Sequence, residues 1–301
     1  MKISRILVIG LASLTFFLSE TAMGQTSSGL RLENEFFSKS VKIRKIASNV
    51  DEAFGLARLN PETFVFVGKS RPSFFTNADS KRSDSFFRLF KYDQLTETTS
   101  RLAVDGLCEI TTNRYNIGGF TSDPDEKFLV VAVNDASDRV LTSKMSLLHV
   151  DLSMGFAQCA TLPFINSDYN YHHPFFDIPS QRLYFVSDIP GGIGGYDIYF
   201  SKRLGANTWS EPINVRYINT PNDELFPTTD AKGNLYFSKM TLNQGYDIFM
   251  VPPGKQRPIR LLHPYNSVSD DFGFIQLEEK KAALSRSDKN RKSSIYLLEA
   301  F

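Results

Sequence analysis

The sequence predicts an all-β protein: a single β-propeller, most simply five blades of four antiparallel strands, with six blades as the alternative. Three observations predict it. Two stretches about fifty residues apart are near-copies. Leu183-Tyr184-Phe185-Val186-Ser187-Asp188, a glycine-rich turn (Gly191–Gly195) and Tyr196-Asp197-Ile198-Tyr199 return as Leu235-Tyr236-Phe237-Ser238-Lys239, Gly245 and Tyr246-Asp247-Ile248-Phe249. A repeat of that size made of short strands is the pattern of propeller blades. Weaker copies of the same unit recur along the chain. No segment of useful length shows a helical apolar period.

Taken in order, the chain opens with Lys2 and Arg5, an apolar run from Ile6 to Leu18, and small residues at Thr21-Ala22-Met23-Gly24. That pattern predicts a secretory signal peptide over 1–24, cut before Gln25 and too short to span a bilayer. No later segment is apolar enough to cross a membrane, and residues 25–40 read as a segment ahead of a propeller over 41–301. Removing Lys2, Arg5 and Glu20 leaves 32 basic and 32 acidic side chains. A neutral chain gains no general attraction to nucleic acid or anionic lipid.

Each repeat opens with an acidic or amide residue followed by an aromatic beside Pro or Gly. Asp51-Glu52-Ala53-Phe54-Gly55, Asp223-Glu224-Leu225-Phe226-Pro227 and Asp270-Asp271-Phe272-Gly273 show this, and Asn116 to Phe120 and Asn170 to Phe175 follow more loosely. A compact apolar strand comes next, as at Thr63–Val67 and Phe128–Ala132. A third strand follows, as at Phe87–Tyr92 and Ser146–Val150. These runs are rich in β-branched and aromatic residues and bounded by turn formers. An outer strand closes most units, as at Trp209–Val215. The last unit lacks one, and Ile43-Arg44-Lys45-Ile46 supplies the missing strand from the other end, which would close the ring. The basic cluster Lys280, Lys281, Arg286, Lys289, Arg291, Lys292 reads as a solvated edge strand and turn.

Cys108 and Cys159 stand about one repeat apart, which suggests similar positions on neighbouring blades. Such points diverge away from the axis, which favours two unpaired thiols over one bridge; the bridge stays open.

Leu183–Asp188, Gly191–Tyr199, Trp209–Asn214 and Ile218–Pro227 resemble the TolB-like, WD-type propeller repeat of bacterial envelope proteins, over roughly residues 165–275. In the Bacteroidota such repeats often precede an OmpA-like peptidoglycan-binding domain, which does not follow here. The resemblance implies an exported propeller, periplasmic or at the cell surface, that binds or scaffolds an envelope protein or a glycan without catalysis or cofactor.

Most of the polar residues that stand out have an architectural reading. The turn at Gly191–Gly195 feeds a strand and not a helix, so it is no phosphate cradle; its glycines are expected to serve positive φ. Gly195, Tyr196 and Asp197 match Gly245, Tyr246 and Asp247, and a carboxylate repeated in each blade ties turns or backbone amides. Trp209 is expected to pin an outer strand, with a sugar platform as the lesser reading.

His172 and His173, adjacent on a strand and so expected on opposite faces, are poorly placed to share a metal. With Tyr169 and Tyr171 they form the aromatic and imidazole cluster expected to meet any ligand. The competing function is a five-bladed glycoside hydrolase or lyase, in which Asp51, Asp123, Asp177 and Asp270 would converge on the axis. No nucleophile elbow, catalytic triad motif or zinc-protease motif is present in the sequence.

Overall fold

In the computed structural model, which describes residues 41–301 except 47–49, 61, 71–85, 103–114, 124–127, 136–143, 152–157 and 242–244, the chain forms a five-bladed propeller. The first forty residues, and with them the signal peptide and the 25–40 segment, fall outside the described residues. Strand β1 (Val41–Lys45) belongs to the last blade. The first blade is β2 (Val50–Arg58), β3 (Thr63–Ser70), β4 (Arg88–Asp93) and β5 (Thr98–Arg101). The second is β6 (Tyr115–Asp123), β7 (Phe128–Asp135), β8 (Ser146–Asp151) and β9 (Gln158–Thr161). In the third, β10 (Tyr171–Asp177), β11 (Arg182–Ser187) and β12 (Asp197–Gly205) are followed by two short pieces, β13 (Thr208–Trp209) and β14 (Ile213–Asn214). Both pieces pair with β12, so Glu211-Pro212 splits the expected outer strand.

The fourth blade is β15 (Glu224–Thr229), β16 (Leu235–Met240), β17 (Tyr246–Val251) and β18 (Ile259–Arg260). The fifth holds β19 (Asp271–Glu278), β20 (Lys281–Ser287) and β21 (Ser293–Ala300), and β1 completes it. The register runs antiparallel from Val41 opposite Ala300 to Lys45 opposite Tyr296. The leading segment therefore closes the ring as its sequence predicts. Among the described residues there is no helix.

Burial follows from the facing sheets. Phe64, Phe66 and Phe90 pack with Ala283, Ile295 and Leu297 between the fifth and first blades. Phe128, Phe176, Phe185, Tyr199 and Trp209 fill the space between the second and third. Tyr184, Phe237 and Ile198 do so between the third and fourth, and Tyr236 meets Phe274 at 4.6 Å between the fourth and fifth. Each such side chain contributes roughly 1.5–3 kcal/mol by leaving water. Trp209 is 8% exposed with its ring against Phe164 and Phe176, which makes it a pin for the outer strand, not an open platform.

Two expectations are corrected. Cys159 is disulfide-bonded, so the two-thiol reading fails; the chain's other cysteine, Cys108, lies outside the described residues. Cys159 sits on outer strand β9. The basic cluster is corrected in its strand part, while Lys289, Arg291 and Lys292 do lie on an exposed turn. Strand β20 lies between β19 and β21, and Arg286 on it pairs with the fully buried Asp271.

The residue opening each inner strand ties that blade to the previous one. Phe87 N–H donates to Asn116 Oδ1 at 3.1 Å, Met145 N–H to Asn170 Oδ1 at 3.2 Å, Tyr196 N–H to Asp223 Oδ1 at 2.9 Å and Tyr246 N–H to Asp270 Oδ1 at 3.0 Å. At the seam, Lys292 Nζ meets Asp51 Oδ1 at 2.6 Å instead. An acceptor is what these positions need, and charge is secondary, since two of them are Asn. Asp223→Ala should therefore cost about 1–3 kcal/mol by stranding the Tyr196 amide, while Asp223→Asn should stay close to wild type in urea denaturation. Deleting residues 41–46 should abolish the single cooperative unfolding transition and produce oligomers on gel filtration, because β21 becomes an open edge.

Candidate functional site

The inner strands β2, β6, β10, β15 and β19 meet around the axis, and each carries a break in its pairing register near its start. The breaks fall between Phe54 and Ala57, Ile117 and Gly119, His172 and Phe175, Leu225 and Thr228, and Phe272 and Ile275. A bulge of this kind places one residue at positive φ. Three blades use glycine there: Gly55 at 65°, Gly119 at 152° and Gly273 at 61°. The third and fourth blades put His173 (46°) and Phe226 (54°) in the same place. Bulky residues in the left-handed region cost on the order of 1–3 kcal/mol each and persist only where their surroundings hold them.

What holds them is mutual packing over space the glycines leave. The rings of His173 and Phe226 stack at 3.6 Å. Phe226 also meets Phe272 at 5.2 Å and Phe54 at 6.1 Å, and Phe54 meets Phe87 at 5.2 Å. A side chain at Gly273 would come within 3.5 Å of the Phe226 ring. These five rings are half-buried, so the axis presents an aromatic floor. The Nδ1 of His173 is buried with no hydrogen-bond partner. Polar groups rim the floor. Lys69 lies over the Phe87 ring at 4.1 Å and pairs with Glu52 at 3.2 Å. His172 stands edge-on to Tyr196 at 5.3 Å.

Burial dominates the electrostatics here. It pulls the His172 imidazolium down to about 4, with the Asp188 carboxylate opposing, and holds His173 well below the usual histidine range. Both rings are therefore neutral near pH 7. Burial pushes Glu224, at the start of β15, up to about 7, against two hydrogen bonds from Thr220.

Of the expected ligand cluster, the structure brings His172 and His173 to the axis. Their rings approach to 5.7 Å, because the bulge breaks the alternation that would have put them on opposite faces. Tyr171 is core, 1% exposed, its hydroxyl accepting from Asn166 N–H at 3.0 Å, and Tyr169 packs against the same cluster. Among the described residues, no group of three His, Cys, Asp or Glu is arranged to hold a metal.

Asp197 ties its turn, accepting from the amides of Ile193 and Gly194, as expected. Asp247 instead binds Arg260 in a bidentate pair at 2.7 and 2.8 Å. In the glycine-rich turn, positive φ applies at Gly191 (89°), but Gly194 is there for room: a Cβ would lie 2.2 Å from the Asn222 carbonyl oxygen. Gly195 and Gly245 likewise lie close to Asp223 and Asp270, beside Tyr196 and Tyr246.

The four aspartates of the hydrolase alternative do not converge. Asp51 and Asp270 stand at the starts of inner strands and Asp123 and Asp177 at the ends, on the order of 20 Å apart along the pleat. Asp51 and Asp270 make the inter-blade ties, and Asp177 accepts from Thr229 at 2.8 Å. Sequence reasoning also missed the paired amide clamps, in which Asn219 and Asn266 each bond both the N–H and the carbonyl of Ile198 and Ile248. Their signal, an Asn 21 or 18 residues after the clamped strand residue, was present in the two clear repeats.

No protein-family profile matches the chain, and no curated protein matches it. Solved structures do resemble it. A protein described as a glycoside hydrolase is 7% identical, with a TM-score of 0.53, over 90% of this chain and 94% of that one. XC5397, a gluconolactonase from Xanthomonas campestris, is 10% identical with a TM-score of 0.51 over 87% and 90%. The α-L-arabinanase of Penicillium chrysogenum, solved with arabinobiose, is 8% identical with a TM-score of 0.49 over 86% and 98%. The chain also matches a prolyl endopeptidase, spanning 32% of its length. The fold is thus that of a five-bladed propeller. The expectation of a non-enzymatic binding or scaffold protein is corrected to this extent: the propellers that the chain resembles include one described as a glycoside hydrolase and a gluconolactonase, and at 7% and 10% identity the likeness shows the fold alone. Nothing in these comparisons supports the TolB-like or OmpA-related identity.

The His172 shift predicts an acid-sensitive axis. Its folded value lies below the unfolded value of about 6.5, so the stability it contributes is full above about 6.5 and lost as pH falls toward about 4. His172→Gln should gain on wild type over that window, by on the order of 2 kcal/mol in urea denaturation at pH 4 relative to pH 7.

Proposed function

We propose that the chain is a carbohydrate-cleaving enzyme, of the glycoside hydrolase or lyase class, that seats a sugar ring at the axis. The observation supporting this reading is the ring cluster of Phe54, Phe226 and Phe272, each partly exposed, with His173, its Nδ1 buried, stacked on Phe226 where the inner strands meet. The negative faces of such rings complement the partly positive C–H face of a sugar, and a mostly apolar site with a few polar groups is the usual form of a small-ligand site. The strain held at His173 and Phe226 fits a site kept for use, since a glycine would serve the fold at lower cost.

The acid–base groups available are those at the rim. Glycoside hydrolysis ordinarily uses two carboxyl groups flanking the bond, and among the described residues the rim offers Glu52, already paired with Lys69. Proton abstraction needs one base and a group to steady the resulting charge. Neutral His172, edge-on to Tyr196, is the axial group able to accept a proton, and Lys69 over the Phe87 ring is the cation of the rim. The reading includes export with loss of residues 1–24 and a glycan of the cell envelope as substrate. The apolar run of Ile6–Leu18 and the TolB-like repeat resemblance support that part.

The test is a panel of neutral and uronate-containing polysaccharides. New reducing ends report hydrolysis, and ultraviolet absorbance of unsaturated uronate ends reports elimination. Cleavage of one of them is expected, with Phe54→Ala lowering kcat/KM about tenfold through a raised KM and His172→Gln lowering kcat. A variant pair that leaves turnover untouched would move the chemistry away from the axis.

A further inference from the structure

On the outer flank of the propeller a groove of about 510 Å³ lies between the third and fourth blades, lined among others by Arg182, Tyr184, Phe200, Ile213, Arg216 and Tyr217. Its charge is one-sided. Two guanidinium groups line it and no carboxylate does. Lys202 stands directly opposite Arg182 in the β11–β12 ladder, so a third cation shares that face. Like charges in that position repel, and the one facing carboxylate is Asp177, opposite Arg182 in the β10–β11 ladder. Among the described residues none of Arg182, Lys202 and Arg216 forms an ion pair.

Asp177 makes no ion pair with Arg182; its oxygens accept from the neutral hydroxyls of Thr229 and Ser180, so its single charge offsets only part of the cation cluster from across the ladder. Arg182 hydrogen-bonds the Tyr184 hydroxyl and lies over the Phe200 ring at 4.6 Å, which fixes its plane and leaves the remaining guanidinium donors to an incoming group. Beside these cations sit two apolar surfaces in water: Tyr217 is 43% exposed and Ile213 is 50% exposed. Partly neutralised guanidiniums next to an open aromatic face suit a ligand that is anionic on one side and ring-shaped on another.

We propose that this groove binds an anionic saccharide, a chain bearing uronic acid residues, with carboxylates on Arg182 and Arg216 and a sugar face on Tyr217. The saccharide half of the proposal rests on the carbohydrate-cleaving reading of the axis; the anionic half rests on the groove's own charges. Such a groove would hold a long substrate on the disc's flank while another part of it is handled elsewhere, and it narrows the substrate class to acidic glycans.

The experiment is calorimetric titration of the intact protein with oligogalacturonate, its fully methyl-esterified form and oligo-glutamate. The acid saccharide should bind, the ester should bind at least tenfold more weakly, and the affinity should fall as salt is raised. The double variant Arg182→Gln/Arg216→Gln should lose at least tenfold in affinity, and Tyr217→Ala several-fold, with unfolding temperatures unchanged because all three side chains are exposed. Equal binding of ester and acid, absence of binding, or undiminished affinity in the double variant would overturn the site. Oligo-glutamate binding as tightly, with no response to Tyr217→Ala, would overturn its saccharide half.

Groove and axis are told apart by crossing the assays. Arginine-dependent binding without cleavage of any glycan sinks the axial reading and leaves the groove. Cleavage without groove binding does the reverse.

Discussion

The ladder between β1 and β21 is the contact on which the remaining structure depends. A row of radial sheets has two open ends, and each end leaves unpaired backbone and an uncovered apolar face. Pairing Val41–Lys45 with Tyr296–Ala300 makes the last blade from both ends of the described chain, so neither end remains open. The fifth-to-first interface then packs like the others, with Ile295 and Leu297 against Phe64 and Phe66. The seam differs in its polar tie. Elsewhere a side-chain oxygen takes a backbone amide of the previous blade, and here an ion pair between Lys292 and Asp51 serves. That pair is partly exposed, and exposed ion pairs contribute little to stability.

Closure has a consequence at the axis. Each of the five inner strands carries a bulge near its start. Once three bulges carry glycine, room is left over, and the rings of His173 and Phe226 occupy it. The aromatic floor is therefore a product of ring closure plus two departures from glycine. Its neutral histidines follow from the same burial.

The fold itself leaves the activity open, because propellers host unrelated functions, and the chemistry has to be argued from the sites. Two sites differ in kind. The axial one is aromatic, strained and electrically neutral at its centre; the flank groove is cationic and relaxed. A glycan with acidic residues satisfies both, since stacking takes its rings and guanidinium groups take its carboxylates. The aspartates of the repeat motif are structural. Asp223, Asp270 and Asp197 spend their oxygens on backbone amides, and Asp247 on Arg260.

The repeat was legible because blade-forming information is local: apolar strands, turn residues and an opening acid or amide recur every fifty residues or so. Ring closure was legible for the same reason, as Ile43–Ile46 copies an outer strand found elsewhere in the chain. The architectural role of Asp197 and the pinning role of Trp209 also followed from the motif. Convergence in space was not legible. Which of Asp51, Asp123, Asp177 and Asp270 share a face depends on whether each starts or ends a strand, and sequence places strand ends only to within a few residues. The closeness of His172 and His173 depends on a bulge that changes the parity of β10, and nothing adjacent to them signals it. The cations of the flank groove meet through the β11–β12 register and the turn after β14, within one blade, a pairing that requires knowing where each strand begins. Sequence set the local conformations and the ring; the packing of that ring decided which side chains meet.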